Sequence, residues 1–550
     1  MEEKITLHLE DWLYNAGIVG IYNILTYSDD TIVKGKDSIT FHKEALNDFE
    51  EKYFSYFIDK YEKLIPWGKI VEFENTIKYY KQNDLHNLDI ENIAKLNKQI
   101  EFIKKNLKDK RFIEMYPLLE SENDLKELEK KLTKINVKKI SNENYQPVLD
   151  AIETIEVIIN ELKKPKAKKY LAAKNVMRNY IKRSWNGVAF LNGNYSALDP
   201  YVLCKDYFVH PVFDYLEKDK AKYVYSCATC NSPISSLDNS MSFMNNIGFD
   251  TQRKTSHVWN FFFDLGICPI CKLVYSCVPA GFIFTSNKGI FVNANNDIEN
   301  LTSINRKIEE EILKNSSNST YSAFIKSINE EMLKSTMYEI SDIQVIRLDN
   351  NRYKFSLLNS NILNLIHKNK EQLNYLFGKY YVENENKHYL QEEVTGALLD
   401  NQNLYLLIHK LLAYKLGNSN NINYSNKDIA NILVINFNYL RGLSSMEEWK
   451  TEIVDKAKSQ GYYLREVYET KYNENKITGI SYRLLNALKT NNKNSFMDTI
   501  LNCYLYVGKQ VPKIITDILK DDEAFKTIGY AFVAGLISED NNNKNDNNEN

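Results

Sequence analysis

Cys227-Ala-Thr-Cys230 and, after 37 intervening residues, Cys268-Pro-Ile-Cys271 form two CxxC pairs. Each pair sets two thiolates on one tight knuckle. Two knuckles can close four sulfur ligands around a tetrahedral zinc ion at about 2.3 Å. The span between the pairs exceeds the roughly 15–20 residues of an ordinary ribbon, so an inserted loop or small subdomain is expected there. Four thiolates fill the coordination shell and leave no position open to activate water, which makes the predicted zinc structural. A redox pair and unliganded thiols are the alternatives. Cys277 and His257 are near enough in sequence to substitute as ligands, although ordinary packing is the simpler reading of both. Cys204 and Cys503 are isolated and read as small buried hydrophobes.

The chain around this stretch has 550 residues, too many for one core, so two to four domains are expected. Charged residues make up 26% and hydrophobic residues 43%, the balance of a soluble globular protein. Seven cysteines without a secretory leader point to a reducing, cytoplasmic setting in which thiols hold metal rather than form disulfides. No run of 18 apolar residues occurs, so no membrane span is expected. GxxxxGK[ST], HExxH and GxSxG are absent, as is any His-Asp dipeptide, and the eight histidines show no metal spacing. Asp521-Asp-Glu523 reads as a helix boundary. The sequence offers no catalytic constellation, and a non-enzyme is expected.

The expected fold class is α+β, a mixed N-terminal body followed by an all-α bundle. Ile5–Leu9 reads as a strand, and Asp11 caps a helix over Trp12 to Leu25. Gly17 and Gly20 within that helix suggest close backbone approach to a neighbour. Residues 31–33 and 38–42 read as a hairpin. A helix to Leu64 faces Leu46, Phe49, Tyr53, Phe57 and Leu64 inward and is stopped by Pro66 and Gly68. Residues 88–140 carry two helical stripes, Ile93 to Leu107 and Leu125 to Ile135, predicting an antiparallel helical hairpin that projects as an arm. Its cations Lys104, Lys105, Lys108, Lys110 and Arg111 read as a solvated face, with contact to a phosphate backbone as the alternative. Residues 1–203 form the predicted N-terminal domain, 204–290 the zinc-knuckle module and 291–390 a continuation of the body. Within these, residues 273–282 and 289–292 read as strands, 297–340 as polar helix, and 343–348 with 353–358 as a hairpin.

Lys163, Lys164, Lys166, Lys168, Lys169, Lys174, Arg178, Lys182 and Arg183 form a basic block (163–183) with no acidic residue between Glu161 and Asp199. A single-sign run in a nearly neutral chain is an electrostatic footprint. Lys174, Arg178 and Lys182 are spaced i, i+4, i+8 and are predicted to line one helix face. Trp185-Asn-Gly follows, with a second Asn-Gly at 192–193. Cations, an aromatic ring, the amides of Asn186, Asn192 and Asn194, and glycine-exposed backbone can together grip phosphates and read base edges. The bland alternative is a basic surface helix and a hairpin.

Residues 391–540 read as six or seven helices packed as a bundle, with basic faces that carry Lys471, Lys476, Arg483, Lys489 and Lys493. Lys509 and Lys513 add to its basic character. The Asn-rich tail, 541–550, reads as disordered.

Several stretches together resemble the large subunit of type I, I-B-like, CRISPR interference complexes of the CXXC–CXXC subfamily. They are Asp11-Trp-Leu-Tyr-Asn-Ala-Gly-Ile-Val-Gly20, Trp185-Asn-Gly with Phe190-Leu-Asn192, the two knuckles, Ser481-Tyr-Arg-Leu-Leu-Asn-Ala487 and Ala531-Phe-Val-Ala-Gly-Leu536. The resemblance spans almost the whole chain. It implies a non-catalytic subunit that sits near the 5′ handle of the crRNA in Cascade, beside its backbone and small subunits. There it would recognise the PAM in double-stranded target DNA, aid R-loop formation, and help recruit a separate helicase–nuclease. Its bundle, like the small subunits it resembles, would support the displaced strand, with Lys471, Lys476, Arg483, Lys489 and Lys493 as candidate contacts. Guide pairing supplies most of the sequence readout in such systems, so the protein needs cations and a rigid scaffold rather than an active site. A zinc-dependent nucleic-acid-processing enzyme and a stand-alone zinc-ribbon DNA-binding regulator are the alternatives.

Overall fold

A computed structural model describes residues 3–82, 90–136, 145–245, 247, 266–285, 288–294, 297–315, 343–349, 352–358, 360–417, 421–443, 446, 449–471 and 475–538. The fold is α+β, with small antiparallel sheets among many helices. The chain divides into two compact units, 1–305 with 347–354, and 306–346 with 355–550.

In the first unit, Lys4–His8, Ser38–His42 and Ile32–Lys34 form an antiparallel sheet with the strand Ser38–His42 in the middle. Ile5 sits opposite Phe41 and Leu7 opposite Ile39, and all four are buried. The alternation of apolar and polar residues thus sets the register. The helix Trp12–Tyr27 begins where expected. The Asp11 carboxylate accepts the N–H groups of Leu13 (2.7 Å) and Tyr14 (3.1 Å). This helix is buried on nearly every side from Leu13 to Ile21.

Its glycines explain how it can be so central. A Cβ on Gly17 would lie 2.5 Å from the Val274 carbonyl oxygen, and one on Gly20 would lie 2.0 Å from the Cys277 oxygen. From the opposing side, a Cβ on Gly281 would lie 2.0 Å from the Ala16 oxygen. The close neighbour is therefore the segment that follows the second knuckle. That segment is helical, Pro269–Ser276 and Val278–Gly281, and not the strand expected over 273–282. Strands follow it at Ile283–Thr285 and Lys288–Ala294, as expected for 289–292.

Two further expectations are corrected. Pro66 does not stop a helix but opens one, Pro66–Gln82, because proline tolerates the first helical turn. Leu64 is 49% exposed and faces outward. The stripes of 88–140 are buried as expected, but they belong to three helices, Ile90–Leu107, Lys110–Leu119 and Leu125–Lys131. These pack on the body instead of projecting. Phe102 meets Phe73 at 5.9 Å, and the Asn97 side chain exchanges both hydrogen bonds with the backbone of Ile135. The arm's cations are tied locally, Lys104 and Lys108 to Glu129 and Arg111 to Asp109. Residues 88–89 and 137–140 lie outside the described residues.

Residues 297–340 are helical over Ile298–Asn315, and the remainder lies outside the described residues. Ile343–Asp349 and Arg352–Leu358 are adjacent strands of one sheet. In the second unit, the expected bundle helices are present from Tyr405–Leu416 to Asp522–Leu536. Helices Ser360–Lys368 and Lys370–Tyr375 and the hairpin Tyr380–Glu383 with Asn386–Tyr389 share this unit. Glu452–Lys471 and Asp522–Leu536 meet backbone to backbone. A Cβ on Gly461 would lie 2.0 Å from the Phe532 oxygen, and one on Gly535 1.9 Å from the Lys458 oxygen. Asp521 caps the latter helix through the Ala524 N–H (2.6 Å), as its sequence position suggests. The tail 541–550 lies outside the described residues. Among the described residues, no helix is long and apolar enough to cross a membrane.

Candidate metal centre and basic helix

The first knuckle turns at Asn231, whose φ of 59° is left-handed, and the Asn231 N–H donates to the Cys227 oxygen (2.9 Å). The short strands Tyr225–Ser226 and Pro233–Ile234 pair across it. Of the expected insertion between the pairs, 231–245, 247 and 266–267 are described, with the strand Pro233–Ile234 and a turn at Met241–Phe243; 246 and 248–265 lie outside the described residues. The second knuckle is a helix start. Cys268 occupies the cap position, Pro269 the first turn, and Cys271 lies within Pro269–Ser276. A thiolate at a helix N-terminus is stabilised by the free N–H groups and the dipole.

The Sγ atoms of Cys227, Cys230, Cys268 and Cys271 all lie within 4.8 Å of one another. Cys230 and Cys268 are 3.6 Å apart. A tetrahedron of sulfurs at about 2.3 Å from a central ion has edges of about 3.8 Å, so the cluster fits a metal ion. Backbone N–H groups point at the sulfurs, Cys268 N–H to Cys227 Sγ at 3.2 Å and Cys271 N–H to Cys268 Sγ at 3.4 Å. Such donors orient the ligands. Four thiols this close cannot all ionise unless a cation joins them. Hydrogen bonding to Cys230 pushes Cys227 down, whereas hydrogen bonding to Cys227 pushes Cys271 well up. Cys227, Cys268 and Cys271 are buried and Cys230 is half-buried. Cys277 is buried outside the cluster, and its thiol is pushed up by burial. Cys204 and Cys503 are buried too. His257 lies outside the described residues.

One neighbour escaped the sequence reading. The Tyr14 hydroxyl lies 3.5 Å from Cys271 Sγ, and burial, followed by the charge of Cys271, pushes that phenol far up. Tyr14 also meets Tyr275 edge-on, and the Tyr275 hydroxyl lies 3.0 Å from Thr229 Oγ1. No local pattern in the sequence pairs residue 14 with residue 271.

Trp185 is fully buried and therefore cannot touch nucleic acid, contrary to the aromatic platform expected there. Its indole packs edge-on against Phe190 and Phe208. Its N–H donates to the Ser276 carbonyl oxygen. The opening helix, the Trp185 segment and the knuckles, which are far apart in sequence, thus share one core.

The basic block runs as a continuous helix from Pro165 to Ser184, with wide π-helical turns at Lys168–Ala172 and Met177–Ile181. An extra residue in a turn rotates the following side chains by about 100°. The three cations at 174, 178 and 182 consequently do not share a face. Lys174 is 6% exposed, bonded to the Ser196 oxygen, and lies 3.6 Å from Glu114. Burial pushes its ammonium down. A buried, internally bonded lysine is not a phosphate contact, and the assignment of Lys174 is corrected.

Most of the other cations are neutralised from elsewhere in the chain. Lys163 pairs with Glu74 (3.0 Å), Lys164 with Glu161 (3.0 Å) and Glu122 (3.5 Å), and Lys166 with Glu120. Lys168 pairs with Asp59 (3.3 Å) and Glu62 (3.4 Å), and Lys169 with Glu51. Lysine hydrogen bonding holds the Glu74 carboxyl below its usual range. The Arg183 guanidinium lies 5.3 Å from the Phe284 ring centre. Only Arg178 and Lys182, among the described residues of this block, are exposed with no carboxylate partner. The nearby amides differ. Asn186 is half-buried and its N–H donates to the Phe243 oxygen (2.9 Å). The Asn192 side chain caps the Asn194 N–H (3.0 Å), and Gly193 and Asn194 are exposed.

In the second unit, a groove of about 810 Å³ lies along Asn475–Lys489 and Lys493–Val507, lined by Lys476, Arg483, Asp498 and Tyr506 among others. Lys476 Nζ donates to the Tyr506 hydroxyl (3.1 Å), and Arg483 and Lys489 are exposed. Lys493 is paired with Asp522 at 2.8 Å. The side chain of Lys471 lies outside the described set.

No curated protein and no solved structure matches the chain. Residues 219–283, which span both knuckles and the helices that seat them against Gly17 and Gly20, match the family model described as CRISPR-associated protein (Cas_CXXC_CXXC), a likeness that supports a CRISPR-associated protein.

Proposed function

We propose that this chain is the non-catalytic large subunit of a type I CRISPR RNA-guided surveillance complex. In this reading it binds the crRNA 5′ handle region and double-stranded target DNA, recognises the PAM and aids R-loop formation in the cytoplasm. It works beside Cascade backbone and small subunits and helps recruit a helicase–nuclease. The observation that carries the reading is the coincidence of the matched stretch, 219–283, with a closed four-cysteine cluster whose following segment packs on the helix Trp12–Tyr27. Cys227, Cys230, Cys268 and Cys271 would hold zinc. All four positions filled by sulfur suit a brace rather than a catalyst.

Arg178 and Lys182 are the residues of the basic helix assigned to phosphate. The exposed Gly193-Asn194 turn is the best placed of the amide candidates to approach a base edge. Arg483, beside the bundle groove, is the favoured contact for a displaced strand. The test is reconstitution with guide RNA and backbone subunits, followed by binding to matched duplexes that differ only in the flanking PAM. Guide-dependent and PAM-dependent binding is expected. Cleavage of DNA or RNA by the purified chain alone, or tight specific duplex binding without guide RNA, would overturn the proposal.

A further inference from the structure

The second unit contains a polar cavity that the subunit assignment does not use. Its volume is about 560 Å³, within the range of small-ligand sites. Three lysines line it, Lys415, Lys427 and Lys458, with one carboxylate, Asp455. Among the described residues, none of the three lysines has a carboxylate partner within ion-pair distance. The basic helix is the opposite case, since its lysines are nearly all answered by acids. Three ammonium groups in one concavity against a single carboxylate focus a positive potential and favour an anion. Phosphate is the anion that three dispersed ammonium groups suit best.

Phosphate alone does not complete the site. Asn426 lines the cavity and donates through Nδ2 to the Ile537 carbonyl oxygen (3.1 Å), which fixes how its amide points. Its Oδ1 is buried and has no hydrogen-bond partner. A buried acceptor left without a donor is unfavourable, so a ligand that supplies one gains by it. A fully ionised phosphate has no hydrogen to give it, whereas a ligand that also carries a donor, such as the amino N–H of a base, can satisfy it. The exposed Asp455 carboxylate is a second acceptor. The rings of Tyr375 and Tyr463 line the same cavity and are 43% and 56% exposed; the Lys427 ammonium lies over Tyr375 (4.7 Å to the ring centre), and Tyr463 offers a face for a planar group.

We infer that the cavity formed by Lys415, Lys427, Lys458, Asn426 and Asp455 binds a nucleotide, phosphate toward the lysines and base N–H groups toward Asn426 Oδ1 and Asp455. The nucleotide is either free or the phosphorylated end of an oligonucleotide. This goes beyond the subunit assignment and does not depend on it.

The experiment uses the purified full chain without guide RNA. Binding of AMP, inorganic phosphate, a 5′-phosphorylated oligo(dA) and the same oligonucleotide with a 5′-hydroxyl is measured by calorimetry or fluorescence anisotropy. AMP or the phosphorylated oligonucleotide is expected to bind, and which is tighter identifies the source. Lys427→Glu with Lys458→Gln should weaken that binding at least about tenfold, the scale of losing a charge-assisted contact. Asn426→Ala should weaken AMP while leaving inorganic phosphate unchanged. Arg178→Ala with Lys182→Ala should leave nucleotide binding intact, which separates this site from the proposed duplex contact. Thermal melts of each variant check folding; Lys427 is exposed and its charge reversal gives up only a surface contact with the Tyr375 ring, so the melt should shift little. The inference is overturned if neither nucleotide form binds, if the lysine variants bind as the parent does, or if inorganic phosphate competes equally and Asn426→Ala has no effect.

Discussion

The Trp185 indole N–H donates to the Ser276 carbonyl oxygen at 3.0 Å, and the Tyr53 hydroxyl donates to that same oxygen at 2.9 Å. Ser276 ends the helix that begins at Cys268. One carbonyl, which helix geometry leaves without an intrahelical partner, thereby ties the metal-ligating helix to the end of the basic helix. Trp185→Phe should lower stability by about 2–3 kcal/mol, since it removes a buried donor and leaves a void. Tyr53→Phe should cost only about 1 kcal/mol, because Trp185 still satisfies the oxygen. Denaturant unfolding followed by fluorescence of the first transition would compare the two. Equal losses would mean that the shared carbonyl is not what distinguishes them.

The cysteine cluster sets a metal prediction. About one zinc per chain should be found by elemental analysis, and Cys→Ser at 227, 230, 268 or 271 should remove it and lower the melting temperature sharply, as four-sulfur zinc sites contribute directly to folding. Cys277→Ser should retain the metal, because that thiol lies outside the cluster. A chelator should reproduce the cysteine variants' melting shift in the parent protein and leave the variants unchanged.

What could be read from sequence divides along the range of the interaction. The Asp11 cap was legible because a cap is local. The close approach at Gly17 and Gly20 was legible because glycine weakens a helix interior unless a neighbouring backbone needs the space. The helix at Pro269–Ser276 was hidden by its strand-like residues, Leu273, Val274 and Tyr275. The signal that would have found it is a cap-forming Cys268 followed by Pro269 at the first helical turn. Pro66 held the same clue. The basic block misled for a different reason. Its sequence window is free of acids, yet Glu51 reaches Lys169 across 118 residues and Glu62 reaches Lys168 across 106. Charge patterning along the chain carries no information about such pairs. Nor does any window gather Lys415, Lys427 and Lys458 with Asn426 and Tyr375.

The glycine contacts yield a stability contrast. Gly20→Ala puts a Cβ 2.0 Å from the Cys277 oxygen, a backbone atom that cannot step aside without moving the metal-ligating segment. A loss of about 3 kcal/mol or more is expected, at the upper end for overpacked cores. Gly193→Ala meets nothing within 4 Å and should stay within about 0.5 kcal/mol of the parent. Gly187 also has open space but a φ of +82°, so Gly187→Ala should cost about 1 kcal/mol from backbone strain alone. Chemical denaturation of the three variants orders them as Gly20, then Gly187, then Gly193, and a neutral Gly20→Ala would contradict the packing of the first helix on the knuckle segment.

The basic helix supports a final distinction between cations that hold the protein together and cations available to a polyanion. Lys174 is enclosed by Ser196 and Glu114. Lys174→Ala removes the buried partner of Glu114, which keeps the Ser196 hydroxyl (3.0 Å) and the more distant Lys110 (3.9 Å), and should reduce stability by about 2–3 kcal/mol. It should leave the salt dependence of DNA binding by the reconstituted complex unchanged. Arg178 and Lys182 are exposed and unanswered, so their joint replacement by Ala should leave the melt within about 0.5 kcal/mol of the parent. It should flatten the slope of log K against log salt by about 1.8, since each phosphate contact contributes about 0.9. The paired lysines give an intermediate case. Exchanging Lys166 for Ala frees Glu120 as well as removing a cation, so any loss of affinity includes new repulsion of phosphate by that carboxylate. Replacing both Lys166 and Glu120 removes that repulsion. If the double replacement restores parental affinity, the pair is structural. If affinity stays low, Lys166 leaves its carboxylate for phosphate in the complex, and the helix presents a third cation that the free protein keeps neutralised.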